Sequence, residues 1–489
     1  MPKKIKTKPY TATRNACKMC TPLGAALVFH GIEGTIPLLH GSQGCSTYMR
    51  RYLISHFREP VDIASSNFSE DTAIFGGGDN LRLAIENVAR QYTPEMIGIA
   101  TTCLSETIGD DVPMILDGMD KKVDPTILVH VSTPSYTGTH VDGFHGAVHA
   151  VVERCNPVTE KTTDALKTRK KINVFPGMLS NEDIRHLKEI FTDFSDVRTP
   201  IDTQSPDAIK NGIDSYAMGN NTEFTILPDY SERLEGPSWE DYQAIQKGGT
   251  PVREIKAMNR ATASMEFGSI LASTVDQGEK SAGSLLKERF DIPLASLGIP
   301  VGVKATDLFF ERLEELTATP IPEKYKKQRG RLIDAYVDGN KYVSRQRAVV
   351  YGEEDFVVAI AGFLAEVGII PVLCASGGKS GFLQKALEEI LPKNILEQVT
   401  VHPGMDFTRM EQTAGALEPD FVIGNSKGYT LSRHLNIPLV RVGFPIHDRI
   451  GGPRILHIGY KGAQELFDTI VNTLLQRRQD TSKTGYAYM

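Results

Sequence analysis

The sequence predicts an α/β protein of three Rossmann-like, doubly wound domains, each with a parallel sheet. Its 489 residues leave room for about three domains at roughly 150 residues each. Short runs that are apolar throughout alternate with longer segments of helical period, as expected of parallel strands covered on both faces. Hydrophobic residues make up 40% and charged residues 23%, the balance of a globular chain with a core to bury.

The first domain, 1–170, holds "EMIGIATTC" and "TILVHVSTPS", which read as strands running into polar loops. In open α/β sheets ligands gather beyond the carboxyl ends of the strands. Cys103 and Ser135 fall at two such ends. The second domain, 171–305, opens with the strand "KINVFPG" and the helix-like "NEDIRHLKEIFTDF". In the third, 306–489, "RAVVYGEEDFVVAIAGFLAEVGIIPVLCASGG" gives strand, helix and strand, followed by "PDFVIGNSKG" and "IPLVRVGFP". The closing "GYKGAQELFDTIVNTLLQRRQ" has a helical period with basic residues in its last turn, where the helix dipole favours them.

A net charge of −6 and a single Trp argue against nucleic-acid binding, which needs a basic face and stacking platforms. No apolar run reaches the roughly 18 residues of a membrane span. The basic start "MPKKIKTKPYTATRNACK" lacks the apolar stretch of a secretory signal. A cytoplasmic protein is expected, and there six cysteines are thiols or ligands, not disulfides. Cys20, Cys45 and Cys103 lie tens of residues apart and match no compact zinc or ferredoxin spacing. Each nonetheless sits where a loop is expected: Cys20 before Thr-Pro, Cys45 after Gly44 in a turn, Cys103 at a strand end. Cys17 and Cys20 form a Cys-x-x-Cys that no second pair completes. Cys155 and Cys374 read as packing. "FGGGDN" (75–80) and "CASGGKSG" (374–381) fall short of phosphate loops, so no nucleotide is expected. His30, His40, His56, His140, His145 and His149 each read as structural, and "RRYLISHFRE" as a solvated or partner-facing helix.

Together, "CTPLGAALVFHGIEGTIPLLHGSQGC", "HFREPVDIASSNFSEDTAIFGGGDNL", "TTCLSETIGDDV", "STPSYTGTHVDGF", "PDFVIGNSKG", "RVGFPIHDRIGG" and "GYKGAQELFDTIVN" resemble the β-type subunit of nitrogenase component 1. The resemblance runs from about residue 14 to about 475. It implies an α2β2 heterotetramer with a homologous α-type subunit, served by a separate ATP-dependent iron protein. It also implies that Cys20, Cys45 and Cys103 ligate an interface iron–sulfur cluster, the 8Fe-7S P-cluster, which Ser135 joins on oxidation. The substrate would bind mainly in the α-type subunit, so this chain does not name it.

Three functions share such a fold. One is the β-type subunit of a nitrogenase or a nitrogenase-like reductase such as methylthio-alkane reductase. Another is the β-like subunit of the scaffold that assembles the iron–molybdenum cofactor, which often lacks a cysteine at the "TTC" position and holds a simpler 4Fe-4S cluster. A metal-free small-molecule binder is the third. Cys103 and Ser135 together favour the first.

Overall fold

Three parallel sheets follow one another along the chain in the computed structural model, which describes residues 16–158, 170–195, 199–200, 216–217, 222–239 and 241–484. The N-terminal stretch read above for a targeting signal lies largely outside them. The first sheet contains β1 (Thr35–His40), β2 (Ala64–Ser65), β3 (Met96–Thr101) and β4 (Ile127–Val131), in the order β2-β1-β3-β4. Next come β5 (Lys171–Phe175), a small antiparallel pair of β6 (Thr199–Pro200) and β7 (Tyr216–Ala217), then β8 (Glu223–Ile226), β9 (Ala263–Phe267) and β10 (Leu294–Leu297). The second sheet runs β10-β9-β5-β8. The third orders β11 (Arg347–Gly352), β12 (Ile370–Ser376), β13 (Thr400–His402), β14 (Phe421–Gly424) and β15 (Leu439–Arg441) as β13-β12-β11-β14-β15.

The apolar runs became strands because both faces are covered: every residue of β1 and of β3 is buried. These two strands lie side by side with Leu38 opposite Ile99 and His40 opposite Thr101. The chain order reverses between them, so the crevice beyond His40 and Thr101 is the switch point of this sheet.

Helix α1 (Thr21–His30) is buried at every position, as a helix apolar all round must be. It lies against the helix His140–Cys155 at a separation only glycine permits. A Cβ on Gly24 would run into the His140 carbonyl, and one on Gly143 into the Thr21 carbonyl.

The sheets are tied to one another by buried polar groups as well as by a shared core. Asp183, on the helix Asn181–Ser195, accepts from the backbone N–H of His457 at 2.7 Å and of Ile458 at 3.2 Å, and meets His457 Nδ1 at 2.9 Å. Asp355 accepts from the Ile270 N–H at 2.7 Å, joining the third sheet's first helix to the second sheet. The segment entering α1 crosses to the third sheet, where Ala16 bridges Asp406. No described helix is long and apolar enough to cross a membrane.

Candidate metal centre

Cys45 and Cys103 follow the two strands that flank the switch point of the first sheet. Beyond β1, Ser42 caps α2 (Gln43–Phe57), and Cys45 lies in that helix's first turn with its N–H donating to the Ser42 carbonyl at 3.2 Å. The Ser42 hydroxyl reaches the Cys45 sulfur at 3.6 Å. After β2 the chain forms α3 (Glu70–Phe75) and α4 (Gly78–Tyr92) before entering β3. Beyond β3, Thr102 caps α5 (Cys103–Ile108), which Cys103 opens.

Polar side chains lock these strand ends together. The Thr102 and Ser105 hydroxyls both donate to the His40 carbonyl, at 3.1 and 2.8 Å. A side chain on Gly41 would collide with Thr102, so the glycine lets the β1 exit lie flat on the β3 exit. Thr133, just beyond β4, donates through its N–H to the Thr101 hydroxyl at 2.7 Å and through its own hydroxyl to the Thr101 carbonyl at 2.5 Å. The loop carrying Ser135 is thereby fixed beside Cys103's strand.

Cys20 arrives from the other side as the N-cap of α1. The next amide, that of Thr21, donates to Ser135 Oγ at 3.1 Å, and the Thr21 hydroxyl reaches the Pro134 carbonyl at 3.4 Å. Burial raises the pKa of the Cys20 thiol above its ordinary value. A hydrogen bond with Ser135 opposes that rise, and the charges of Cys103 and Cys45 add to it. The bonds from Thr102 to His40, from Thr133 to Thr101 and from Thr21 to Ser135 set the three thiol-bearing segments at one end of the first sheet. The structure thus brings together all four residues singled out in the sequence: Cys20, Cys45, Cys103 and Ser135. Cys20 and Cys45 are half-buried and Cys103 is exposed, so the group opens on one side to the surface.

Cys45 corrects the expectation of a bare turn. Gly44 lies within the first turn of α2, so Cys45 is on a helix start whose unpaired amides favour negative charge. Cys17 lies outside the group. It is packed under Gly377, and burial pushes its thiol up to about 12, with Lys427 pulling the other way. Cys155 and Cys374 are also buried.

Three of the histidine candidates are engaged in hydrogen bonds within the fold. His40 bonds Ser66 Oγ and Asp110 Oδ2, each at 3.0 Å. His56 accepts from the Ile446 N–H at 2.9 Å, and His140 from the Met19 N–H at 3.4 Å. At "FGGGDN" the Gly77 amide donates to Asp110, so the amide a phosphate would need is already engaged.

The sequence reading missed two lysines. Lys18 donates to the Ser135 and Gly138 carbonyls at 3.3 and 2.8 Å, and Lys427 donates to the carbonyls of Ala16 and Lys18.

Among the described residues, no three His, Cys, Asp or Glu side chains close around a single metal ion. The donor set is instead three soft thiols and a hydroxyl, spread over the ends of one sheet and open on one side. That chemistry fits an iron–sulfur cluster with further ligands from outside the chain.

Residues 20–475 match the model of the nitrogenase component 1 type oxidoreductases. The nitrogenase molybdenum-iron protein beta chain of Clostridium pasteurianum is 33% identical over 466 residues, covering 95% of this chain and 93% of that protein. The corresponding chain of Azotobacter vinelandii is 32% identical over 488 residues, 96% of this chain and 86% of its own length. A solved structure, nitrogenase Cp1 at pH 6.5, superposes with a TM-score of 0.86 at 31% identity over 100% of this chain and 99% of the other.

Proposed function

The chain belongs to the nitrogenase component 1 type oxidoreductases as a β-type subunit, and from that premise we propose that Cys20, Cys45 and Cys103 hold an interface P-cluster that relays electrons. The observation that carries this reading is the convergence of the three thiols and Ser135 at one switch point. When bound, an iron–sulfur cluster supplies electron storage at low potential. The protein's part is to hold and tune it. The start of α2 favours negative charge near the Cys45 sulfur, the Ser42 hydroxyl lies by Cys45, and the buried α1 shuts water out behind Cys20.

An open side with an exposed Cys103 suits a cluster completed by an α-type subunit in an α2β2 heterotetramer. Ser135, held by the Thr21 amide beside Cys20, is placed to join the ligand set when the cluster is oxidised. A scaffold subunit holding a 4Fe-4S cluster has no need of that hydroxyl, which favours the 8Fe-7S relay.

Electrons would come from the ATP-dependent iron protein. The end of α3 offers it an apolar tip, with Ile74 73% and Phe75 85% exposed, and the exposed acids Glu70, Asp71 and Asp79 lie within five residues of it in sequence. Transient electron-transfer contacts are small and electrostatically steered. The co-purified tetramer should therefore turn over only with iron protein and ATP, more slowly as salt rises when iron protein is limiting. Truncating a central aromatic anchor typically costs about 2 kcal/mol, so Phe75→Ala should weaken the apparent affinity for iron protein by at least about tenfold. Salt-independent turnover together with an unaffected Phe75→Ala would contradict docking at this tip.

A further inference from the structure

Two lysines approach the corner where Cys20 meets Ser135, one from the third sheet and one from the ligand strand itself. Lys427 follows β14 in the short turn Ser426–Gly428, oriented by the Asn425 side chain, which accepts its N–H at 3.1 Å. Its ammonium donates to the carbonyls of Ala16 and of Lys18, the latter at 3.2 Å, and lies 3.9 Å from Met19 Sδ. It thus grips three of the four residues before Cys20. Lys18 points the other way, to the carbonyls of Ser135 and Gly138. One lysine fixes the Cys20 strand and the other fixes the Ser135 loop to that strand.

The charge on Lys427 is the notable feature. Burial opposes it, and among the described residues its ammonium has carbonyl and thioether partners and no carboxylate. A buried ammonium without a carboxylate is costly. Carbonyl oxygens satisfy its protons but not its charge. Cys17 is buried, and the strand that Lys427 grips ends at Cys20, so a bound cluster would bring its negative charge to that strand's end. Lys18, two residues before Cys20, sets a second ammonium against the Ser135 loop.

We propose that Lys427 and Lys18 form a cationic clasp behind Cys20, which positions the ligand strand and biases the bound cluster towards its reduced state. The inference rests on the reading of Cys20 as a cluster ligand. Both are positioning residues. A fixed positive charge in a poorly solvated site stabilises an added electron, and net charge around a cluster is one of the levers on its potential.

The test uses the heterotetramer co-purified with its α-type partner, in wild-type form and as Lys427→Gln, Lys427→Arg and Lys18→Gln. Gln keeps a donor for the carbonyls and removes the charge, whereas Arg keeps the charge. Iron content and the midpoint potential of the cluster are measured, the latter by redox titration followed by electron paramagnetic resonance. Both Gln variants should retain near wild-type iron and titrate at a more negative potential, with Lys427→Arg returning towards wild type. An iron-replete Gln variant with an unmoved midpoint, or an Arg variant shifted as far as Gln, overturns the clasp. Should Lys427→Gln fail to assemble, the half-buried Lys18→Gln decides alone. A wild-type tetramer without a cluster would instead overturn the ligand assignment beneath the proposal, a failure distinct from an unmoved midpoint.

Discussion

Cys45→Ala should strip most of the cluster iron from the co-purified tetramer, abolish turnover driven by the iron protein and loosen the subunit interface. Cys45 stands alone on the β1 side of the switch point, and the neighbouring Ser42 hydroxyl is too poor a ligand for iron to replace a thiolate. Because a metal site rarely exists in the unfolded or unassembled chain, its loss is also a loss of assembly free energy. Iron determination and electron paramagnetic resonance on the purified variant check the expectation, with Cys17→Ala as the contrast. The Cys17 thiol is buried under Gly377, so that variant should keep its iron. Full iron and an unchanged spectrum in Cys45→Ala would contradict the ligand assignment.

Asp183→Ala should destabilise the fold by several kcal/mol, since each buried donor left without its acceptor costs about 1–3 kcal/mol. It would leave the His457 ring and two backbone N–H groups without their acceptor in a fully buried site. The effect has a pH signature. Burial pushes the Asp183 carboxyl up, but the charge and hydrogen bonds of His457 more than offset this, so its pKa lies below the ordinary value. A carboxyl depressed in the folded state stabilises the protein above the unfolded pKa of about 3.9, and that contribution is lost as pH falls through the folded value. The gap between wild type and variant in denaturant midpoints should therefore be wide at neutral pH and narrow below about pH 4. A gap independent of pH would contradict an ionised Asp183.

The strands were legible because parallel strands buried on both faces are apolar without interruption, as β3 and β12 are. That same regularity made Cys103 and Ser135 readable as strand-end residues, since the carboxyl-end rule needs only the strand and its exit. Cys45 was legible as a candidate but not in its local structure. Gln43 and Gly44 resemble a turn, and only the Ser42 cap, closed by the Cys45 amide, commits them to a helix. The Cys17–Cys20 pair resembled a redox motif because spacing alone cannot show that the strand dives beneath Gly377 between the two. Lys427 carried no local signal at all. Its partners lie about four hundred residues away in sequence, and only the packing of the third sheet against the first brings them together. The histidines of the first domain looked similar to one another in sequence. Burial lowers the pKa of all six, to about 3 for His56 and His140, and what marks these two as packing residues is that their rings accept the Ile446 and Met19 amides.

Oxidation of the purified tetramer with a mild dye, followed by electron paramagnetic resonance, tests the electron-relay assignment most directly. A P-cluster held by Cys20, Cys45 and Cys103, with Ser135 at hand, should give a two-electron-oxidised, integer-spin signal whose potential shifts in Ser135→Ala while the iron content stays nearly unchanged. One-electron behaviour of a four-iron cluster, in a protein that donates its cofactor to an apo-reductase and reduces no substrate with iron protein and ATP, would contradict it and establish the scaffold subunit in its place.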